Sequence, residues 1–273
     1  MTSKSHYEAH TAASYESAFF YEEGAYTENL AKLVMDGLCL KEGSKPRTLL
    51  DIGGGTGNFT RMLTNQSEGI RAIVVDPFLP ESSTKEGSDD VQYVKASAEE
   101  FTKDNFEASQ EWWRNGYSQV LLKEVVHHFA HTDRKEIFRG MLNGLVTDNI
   151  SEQPNIPSLL IITRPQRDID YPLWNDARDV WAKNQPHVDD IMNDLTAAGF
   201  RKVQYKVEPY PCEISLARWQ SMVKQRFWST FANFSDAELD AACKLIAEAE
   251  AKRVDSKGII QFEDRLLFIE AHR

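Results

Sequence analysis

Short runs of aliphatic and β-branched residues alternate along the chain with segments in which apolar residues recur every three or four positions. The aliphatic runs predict strands. They lie near Thr48–Ile52, Ala72–Asp76, Gln92–Val94, Gln119–Leu122, Leu159–Thr163, Lys202–Val207 and Leu266–Glu270. The periodic segments predict helices near Phe59–Thr64, Thr132–Leu145 and Asp189–Ala198. Strands that alternate with crossover helices are typical of α/β proteins, so we expect a Rossmann-like, doubly wound sheet of seven mostly parallel strands.

Two segments are longer than this sheet requires. The first forty residues are rich in Tyr and Phe, and a second stretch at about 212–263 separates the last two strands. We predict an N-terminal helical cap at 1–40 and one sheet domain at 41–273 that carries a helical insertion at 212–263. Because ligands of open α/β sheets bind beyond the carboxyl ends of the strands, we expect the extra helices to select the substrate.

A glycine-rich run follows the first strand and reads D-x-G-x-G-x-G over Asp51–Gly57. A strand, a glycine turn and then a helix form the layout of a nucleotide site, where glycine lets the ligand lie against the main chain. The dinucleotide pattern G-x-G-x-x-G fails in both registers, because Asn58 and Thr60 occupy its last position. A carboxylate beside the loop suits a ligand with an ammonium group better than it suits a pyrophosphate.

The D-x-G-x-G-x-G run resembles motif I of the class I S-adenosylmethionine (SAM) methyltransferases. The segment Leu122–Phe129, with its paired histidines, resembles the small-molecule, UbiE-like branch of that family. The Asn/Asp-Pro-Pro-aromatic motif of enzymes that methylate nucleic-acid bases is lacking there. The resemblance implies SAM as the cofactor, S-adenosylhomocysteine as the product, and methyl transfer to a small polar metabolite by in-line displacement.

The resemblance also implies a set of cofactor-binding residues. They are Tyr15, Asp51, Gly53, Gly55, Gly57, Asp76, Ser97, Ala98 and Lys123. Asp51 would hold the cofactor's amino group, and Asp76 would accept hydrogen bonds from both ribose hydroxyls. Ser97 stands where the family more often has Asp beside the adenine, and with Glu100 it equally fits a helix capping box. Tyr15 would cover the bound cofactor.

His127 and His128 follow the fourth strand and are the candidate catalytic residues. Either is placed to orient the acceptor or to take its proton, and the alternative is a histidine that only packs under the cofactor. His127 and His131 have the spacing of a helical metal pair, but no third ligand accompanies them, so we predict no metal.

Arg164 follows the fifth strand and offers a rigid fork suited to a carboxylate. Arg164 therefore predicts a methyl acceptor that carries a carboxylate. The sequence does not determine whether the methylated atom is N, O or S. The other candidate substrate contacts are Tyr21, His127, Trp174 and Arg226. The alternatives are surface salt bridges for the arginines, and a buried helix face for Trp174 and Trp181.

Composition narrows the class of partner. The 273 residues carry a net charge of −11, which argues against nucleic acid. No apolar run is long enough to span a bilayer, no signal-peptide core precedes Ser17, and the 3 cysteines are scattered. We expect a cytoplasmic monomer or homodimer with a small-molecule substrate and no membrane partner. A nicotinamide-dependent oxidoreductase and a non-catalytic SAM-binding protein are the alternative functions.

Overall fold

The computed structural model describes residues 25–40, 47–79, 90–103, 116–146 and 156–273. Its strands are β1 Arg47–Ile52, β2 Ile70–Val75, β3 Val91–Val94, β4 Gln119–Lys123, β5 Leu159–Thr163, β6 Arg201–Ser215 and β7 Ile259–His272. The α-helices of these ranges are α1 Ala25–Gly37, α2 Asn58–Asn65, α3 Ala98–Phe101, α4 His131–Gly144, α5 Asn175–Asn184, α6 Val188–Ala198, α7 Leu216–Lys224 and α8 Asp236–Glu250. Short 3-10 helices lie at Val126–His128 and Ser229–Asn233.

The seven strands form one sheet in the order β3-β2-β1-β4-β5-β7-β6. The pairs β1–β2, β1–β4, β2–β3 and β4–β5 are parallel, and β7 runs antiparallel to β5. The order reverses between β1 and β4, which is the point where open α/β sheets bind ligands. The predicted fold class is confirmed.

The central strands form because their side chains are apolar on both faces. All five residues of β5 are buried, as are four of the five in β4. Such continuous apolar runs are typical of parallel strands covered by helices on both sides. Strands β6 and β7 are longer than predicted, because polar and apolar residues alternate beyond the apolar runs that marked them.

The contacts divide the chain into two compact units. The sheet unit comprises the described residues of Glu28–Thr163, Val188–Lys206 and Leu267–Arg273. The aromatic unit comprises Arg164–His187, Val207–Leu266 and the described residues up to Thr27. Across both units, no helix of the described part is long and apolar enough to cross a membrane.

The sheet unit packs its helices onto the strands through one apolar core. Phe138 and Met141 of α4 and Leu195 of α6 belong to this core. The two helices are also joined by a buried ion pair, in which Nε of Arg134 donates to Oδ2 of Asp194 at 2.6 Å.

The aromatic unit is held together by a cluster of large rings. The cluster contains Tyr171, Trp174, Trp181, Trp219, Phe227, Trp228, Phe231 and Phe262. Two of its indole N–H groups donate to backbone carbonyls: Trp219 to Pro172 at 2.7 Å, and Trp181 to Pro165 at 3.0 Å. Buried indoles need such partners, so these two rings are satisfied within a packed core.

Candidate functional site

Asp51 lies near the end of β1 and is 1% exposed. The Thr60 hydroxyl of α2 donates a hydrogen bond to its Oδ2 atom. Its Oδ1 atom is buried and accepts no hydrogen bond from the described residues. Burial raises the pKa of Asp51 to about 6, although the Thr60 hydrogen bond and the nearby charge of Lys123 oppose that shift. The site therefore contains a buried carboxylate with one oxygen available to a donor.

The glycine loop after Asp51 has left-handed backbone at Gly53, Gly55 and Gly57, with φ of 74°, 57° and 73°. A Cβ at Gly53 would lie 2.5 Å from the Val125 side chain, and one at Gly57 would lie 2.7 Å from the Tyr93 ring. A Cβ at Gly55 would meet no described atom within 4 Å. Packing thus explains the outer two glycines, whereas Gly55 leaves open space beside the main chain.

Asp76 follows β2 and is tied to the same loop. The Gly55 N–H donates to its Oδ2 atom at 3.0 Å, and the Phe78 N–H donates to its Oδ1 atom at 2.8 Å. Burial raises the pKa of Asp76, and these two hydrogen bonds oppose the shift. Each carboxylate oxygen has a second lone pair, so Asp76 can still accept two hydroxyl donors.

Ser97 caps helix α3. Its hydroxyl accepts from the Glu100 N–H at 3.2 Å, and the Glu100 carboxylate accepts from the Ser97 N–H at 2.9 Å. This is the capping box that the sequence left open as the alternative. Ala98 is buried in the first turn of the helix. The adenine contact of Ser97 and Ala98 stays a prediction.

Lys123 is the last residue of β4, and His127 and His128 lie in the short 3-10 helix that follows it. The Lys123 ammonium lies 5.1 Å from the centre of the Phe59 ring on α2. His127 is half-buried and His128 exposed, and their ring centres are 4.0 Å apart. The intervening Glu124 has a left-handed φ of 58°, a conformation that is rare outside glycine.

Thr60 has a role in the site that its sequence context did not predict. In the sequence it only breaks the dinucleotide glycine pattern, whereas in the structure its hydroxyl is the hydrogen-bond donor to Asp51. Its position one helical turn after Gly57 was the available signal, because that turn of α2 packs beside the end of β1.

Arg164 lies in the aromatic unit and is bound to a carboxylate of the chain itself. Its Nε and Nη2 atoms each donate to Asp264 at 3.0 Å, which is a bidentate pair. The hydroxyls of Tyr171 and Tyr26 also donate to Asp264. Burial alone would raise the pKa of Asp264, but the Arg164 charge and these hydrogen bonds outweigh burial and hold it below its usual range.

The remaining substrate candidates are in packed positions or outside the described residues. Trp174 is 8% exposed and stacks on Phe231 in the aromatic cluster. Arg226 donates to the Phe234 carbonyl at 3.0 Å and to Asp236 at 2.6 Å, at the start of α8. Tyr15 and Tyr21 lie outside the described residues.

No protein-family model and no curated protein matches the chain in sequence. Solved structures do match. A protein assigned as a methyltransferase of an antibiotic biosynthesis pathway in Anabaena variabilis has a TM-score of 0.60 and 17% identity, over 90% of this chain and 97% of that one. A SAM-dependent methyltransferase from Archaeoglobus fulgidus has a TM-score of 0.51 and 18% identity, over 90% of this chain and 94% of that one.

Phosphoethanolamine N-methyltransferase 2 of Haemonchus contortus has a TM-score of 0.56 and 16% identity, and all of this chain aligns with 61% of that one. It was solved with phosphomonomethylethanolamine and S-adenosylhomocysteine. Identities this low establish the fold alone. The chain therefore has the fold of the class I SAM-dependent methyltransferases, and the UbiE-like branch stays a prediction.

Replacing Asp51 with Asn should stabilise the ligand-free protein at pH 8. Because burial raises the pKa of Asp51 to about 6, its neutral form is favoured in the folded state. The resulting stability is complete below the unfolded-state pKa of 3.8 and is lost as the pH rises from there to about 6. One pKa unit corresponds to about 1.4 kcal/mol, so we expect Asp51→Asn to gain about 1–3 kcal/mol at pH 8 and roughly a third of that at pH 4.5 in urea unfolding.

The exposed Asp90→Asn is the matched control and should change neither value. If Asp51→Asn and the unchanged protein are equally stable at pH 8, the claim that the ionised Asp51 carboxylate destabilises the folded protein is wrong.

Replacing Arg164 with Met should destabilise the protein by about 3–5 kcal/mol, because it leaves the Asp264 carboxylate buried without its cation. The double replacement Arg164→Met with Asp264→Leu should regain much of that loss. Arg265→Met, which breaks a partly exposed pair with Asp168, should cost less than about 1 kcal/mol. Urea unfolding measures all three, and an Arg164→Met protein of normal stability would contradict the structural role.

Proposed function

We propose that the protein is a SAM-dependent methyltransferase that acts on a small polar metabolite. The observation that carries this proposal is the open Oδ1 atom of Asp51, buried beside the glycine loop. A buried carboxylate is costly unless a cation or donor reaches it, and the ammonium of a methionine moiety is such a group. Space beside Gly55 and the free acceptor capacity of Asp76 fit a nucleoside at the same place.

The residues of the sheet unit take distinct roles in this proposal. Asp51 accepts hydrogen bonds from the cofactor's ammonium group, the main chain of the loop from Gly53 to Gly57 lies against the cofactor, and Asp76 accepts hydrogen bonds from the ribose hydroxyls. Ser97 and Ala98 flank the adenine, and Tyr15 covers the cofactor. When bound, SAM would supply a methyl group for transfer to an acceptor lone pair, with S-adenosylhomocysteine as the leaving group.

The protein's part in the reaction is to hold the acceptor in line with that methyl group. Positioning of this kind can supply much of a rate enhancement. His127 and His128 stand at the carboxyl end of β4, where they are proposed to orient the acceptor and, for a protonated nucleophile, to remove its proton. The need for this proton transfer depends on whether the attacking N, O or S atom carries a proton when it binds.

The acceptor is proposed to be small and polar, as is the phosphomonomethylethanolamine bound by the Haemonchus enzyme. The proposed preference for an acceptor with a carboxylate depends on Arg164. Because the Arg164 guanidinium binds Asp264, an acceptor carboxylate would share the guanidinium with Asp264. Tyr21, Trp174 and Arg226 stay proposed contacts, and 1–40 and 212–263 stay the proposed acceptor-selecting segments. The net charge of −11 supports the absence of a nucleic-acid substrate.

The proposal is tested first by isothermal titration of the purified protein with S-adenosylhomocysteine, with NAD and NADP as controls. We expect micromolar or tighter binding of S-adenosylhomocysteine, at least tenfold weaker binding by Asp51→Asn, and no nicotinamide binding. Binding of NAD or NADP instead would contradict the proposal and favour an oxidoreductase.

Turnover needs a separate measurement. Transfer of labelled methyl from SAM should be screened over small amines, hydroxy acids, thiols and phosphorylated amines. Product with any of them supports the enzyme, and tight binding of S-adenosylhomocysteine with no product on any acceptor class would favour a non-catalytic SAM-binding protein.

A further inference from the structure

Strand β6 forms one edge of the sheet. It comes last in the strand order, so among the described strands only β7 lies beside it. The side chains from Arg201 to Val207 are exposed, except that Val203 is half-buried. An exposed edge strand presents a row of backbone N–H and C=O groups that can pair with a strand of another chain.

Two prolines indicate which backbone groups face outward. Pro209 and Pro211 lie in β6, and proline is tolerated in a strand where its missing N–H would face away from the neighbouring strand. Because backbone groups alternate between the two edges of a strand, Val203, Tyr205 and Val207 also face away from β7. Their side chains share one face of the sheet, where Tyr205 is 46% exposed and Val207 is 44% exposed.

This edge is complementary to itself. In an antiparallel pair of two copies centred on Tyr205, the two Tyr205 residues oppose each other, and Val203 opposes Val207 of the second copy. These outward-facing residues would exchange the hydrogen bonds of the ladder. Lys202 then opposes Glu208 of the second copy, and the two-fold axis repeats that pair at the other end. Opposite charges directly across a sheet stabilise the pairing.

The lysines of β6 oppose the neighbouring registers. If the pair were centred on Gln204, Lys202 would lie directly opposite Lys206 of the second copy. If it were centred on Lys206, the two Lys206 side chains would oppose each other. Like charges directly across a sheet are destabilising, so these two registers are disfavoured.

The prolines and the strand length disfavour the next registers. A pair centred on Val207 would set Tyr205 against Pro209, which has no N–H to donate to it. A pair centred on Val203 would be short, because Glu208 would lie beyond the first residue of the partner strand. The register centred on Tyr205 alone combines a full ladder with opposite charges at both ends.

We propose that two copies of the chain associate through β6 in this register, so that their sheets form one continuous sheet. The inference goes beyond the proposed function and does not depend on it. The contact involves only a short stretch of each strand, which is typical of weak interfaces, so we expect a dissociation constant on the order of micromolar.

Charge reversal tests the register directly. Lys202→Glu sets two carboxylates opposite each other at both ends of the pair, and Glu208→Lys sets two ammonium groups there. The double variant Lys202→Glu with Glu208→Lys restores opposite charges. An equimolar mixture of the two single variants also restores them, because the first variant then pairs with the second. Sedimentation velocity over roughly 1–100 µM measures each sample around the expected constant.

We expect the unchanged protein to dimerise as its concentration rises. Each single variant should dimerise roughly 10- to 100-fold more weakly, since attraction becomes repulsion at two positions. The double variant and the mixture should recover most of the association. The exposed Lys103→Glu makes the same charge change elsewhere and is the control, which should dimerise normally. Tyr205→Pro removes the central outward N–H and should leave a monomer. Thermal melting verifies that each variant is folded.

Three results would overturn the inference. The first is an unchanged protein that stays monomeric at every concentration, as it would if other residues of the chain cover this edge. The second is a dimer that neither single charge reversal weakens. The third is a weakening by the single variants that neither the double variant nor the mixture reverses, because the pairing of Lys202 with Glu208 would then be wrong.

Discussion

The buried charge of Asp51 is the constraint on which the candidate site depends. A carboxylate that is 1% exposed loses the hydration of its ionised form, and a single hydroxyl hydrogen bond does not replace that hydration. Its pKa is accordingly raised to about 6. The folded protein holds an unfavourable charge at neutral pH, and a ligand ammonium that reaches Oδ1 would relieve it. Ligand binding and folding stability are thereby linked through one side chain.

The parallel sheet explains why the candidates that follow β1, β2 and β4 lie at one edge of the sheet. Strands β1, β2 and β4 are parallel neighbours, so their carboxyl ends coincide at one edge. That edge receives Asp51 and the glycine loop from β1, Asp76 from β2, and Lys123 with the two histidines from β4. The bond from the Gly55 N–H to Asp76 joins two of these strand ends directly.

The sheet and the glycine loop could be predicted from the sequence because their signals are local. Apolar runs mark β1, β4 and β5, and the three loop glycines are needed for left-handed backbone that other residues rarely adopt. The partner of Arg164 could not be predicted, because Asp264 is 100 residues away and a pairing over that distance leaves no local pattern in the sequence. Ser97 was ambiguous, since the residue types of a capping box and of a ligand contact are the same there.

Proton release on ligand binding tests the central claim most directly. Titration of S-adenosylhomocysteine at pH 6 in two buffers of different ionisation enthalpy counts the protons exchanged. Because the pKa of Asp51 is about 6, the ligand ammonium should drive off about half a proton at that pH and almost none at pH 8. Binding at pH 6 with no proton released, or with protons taken up, would contradict the account.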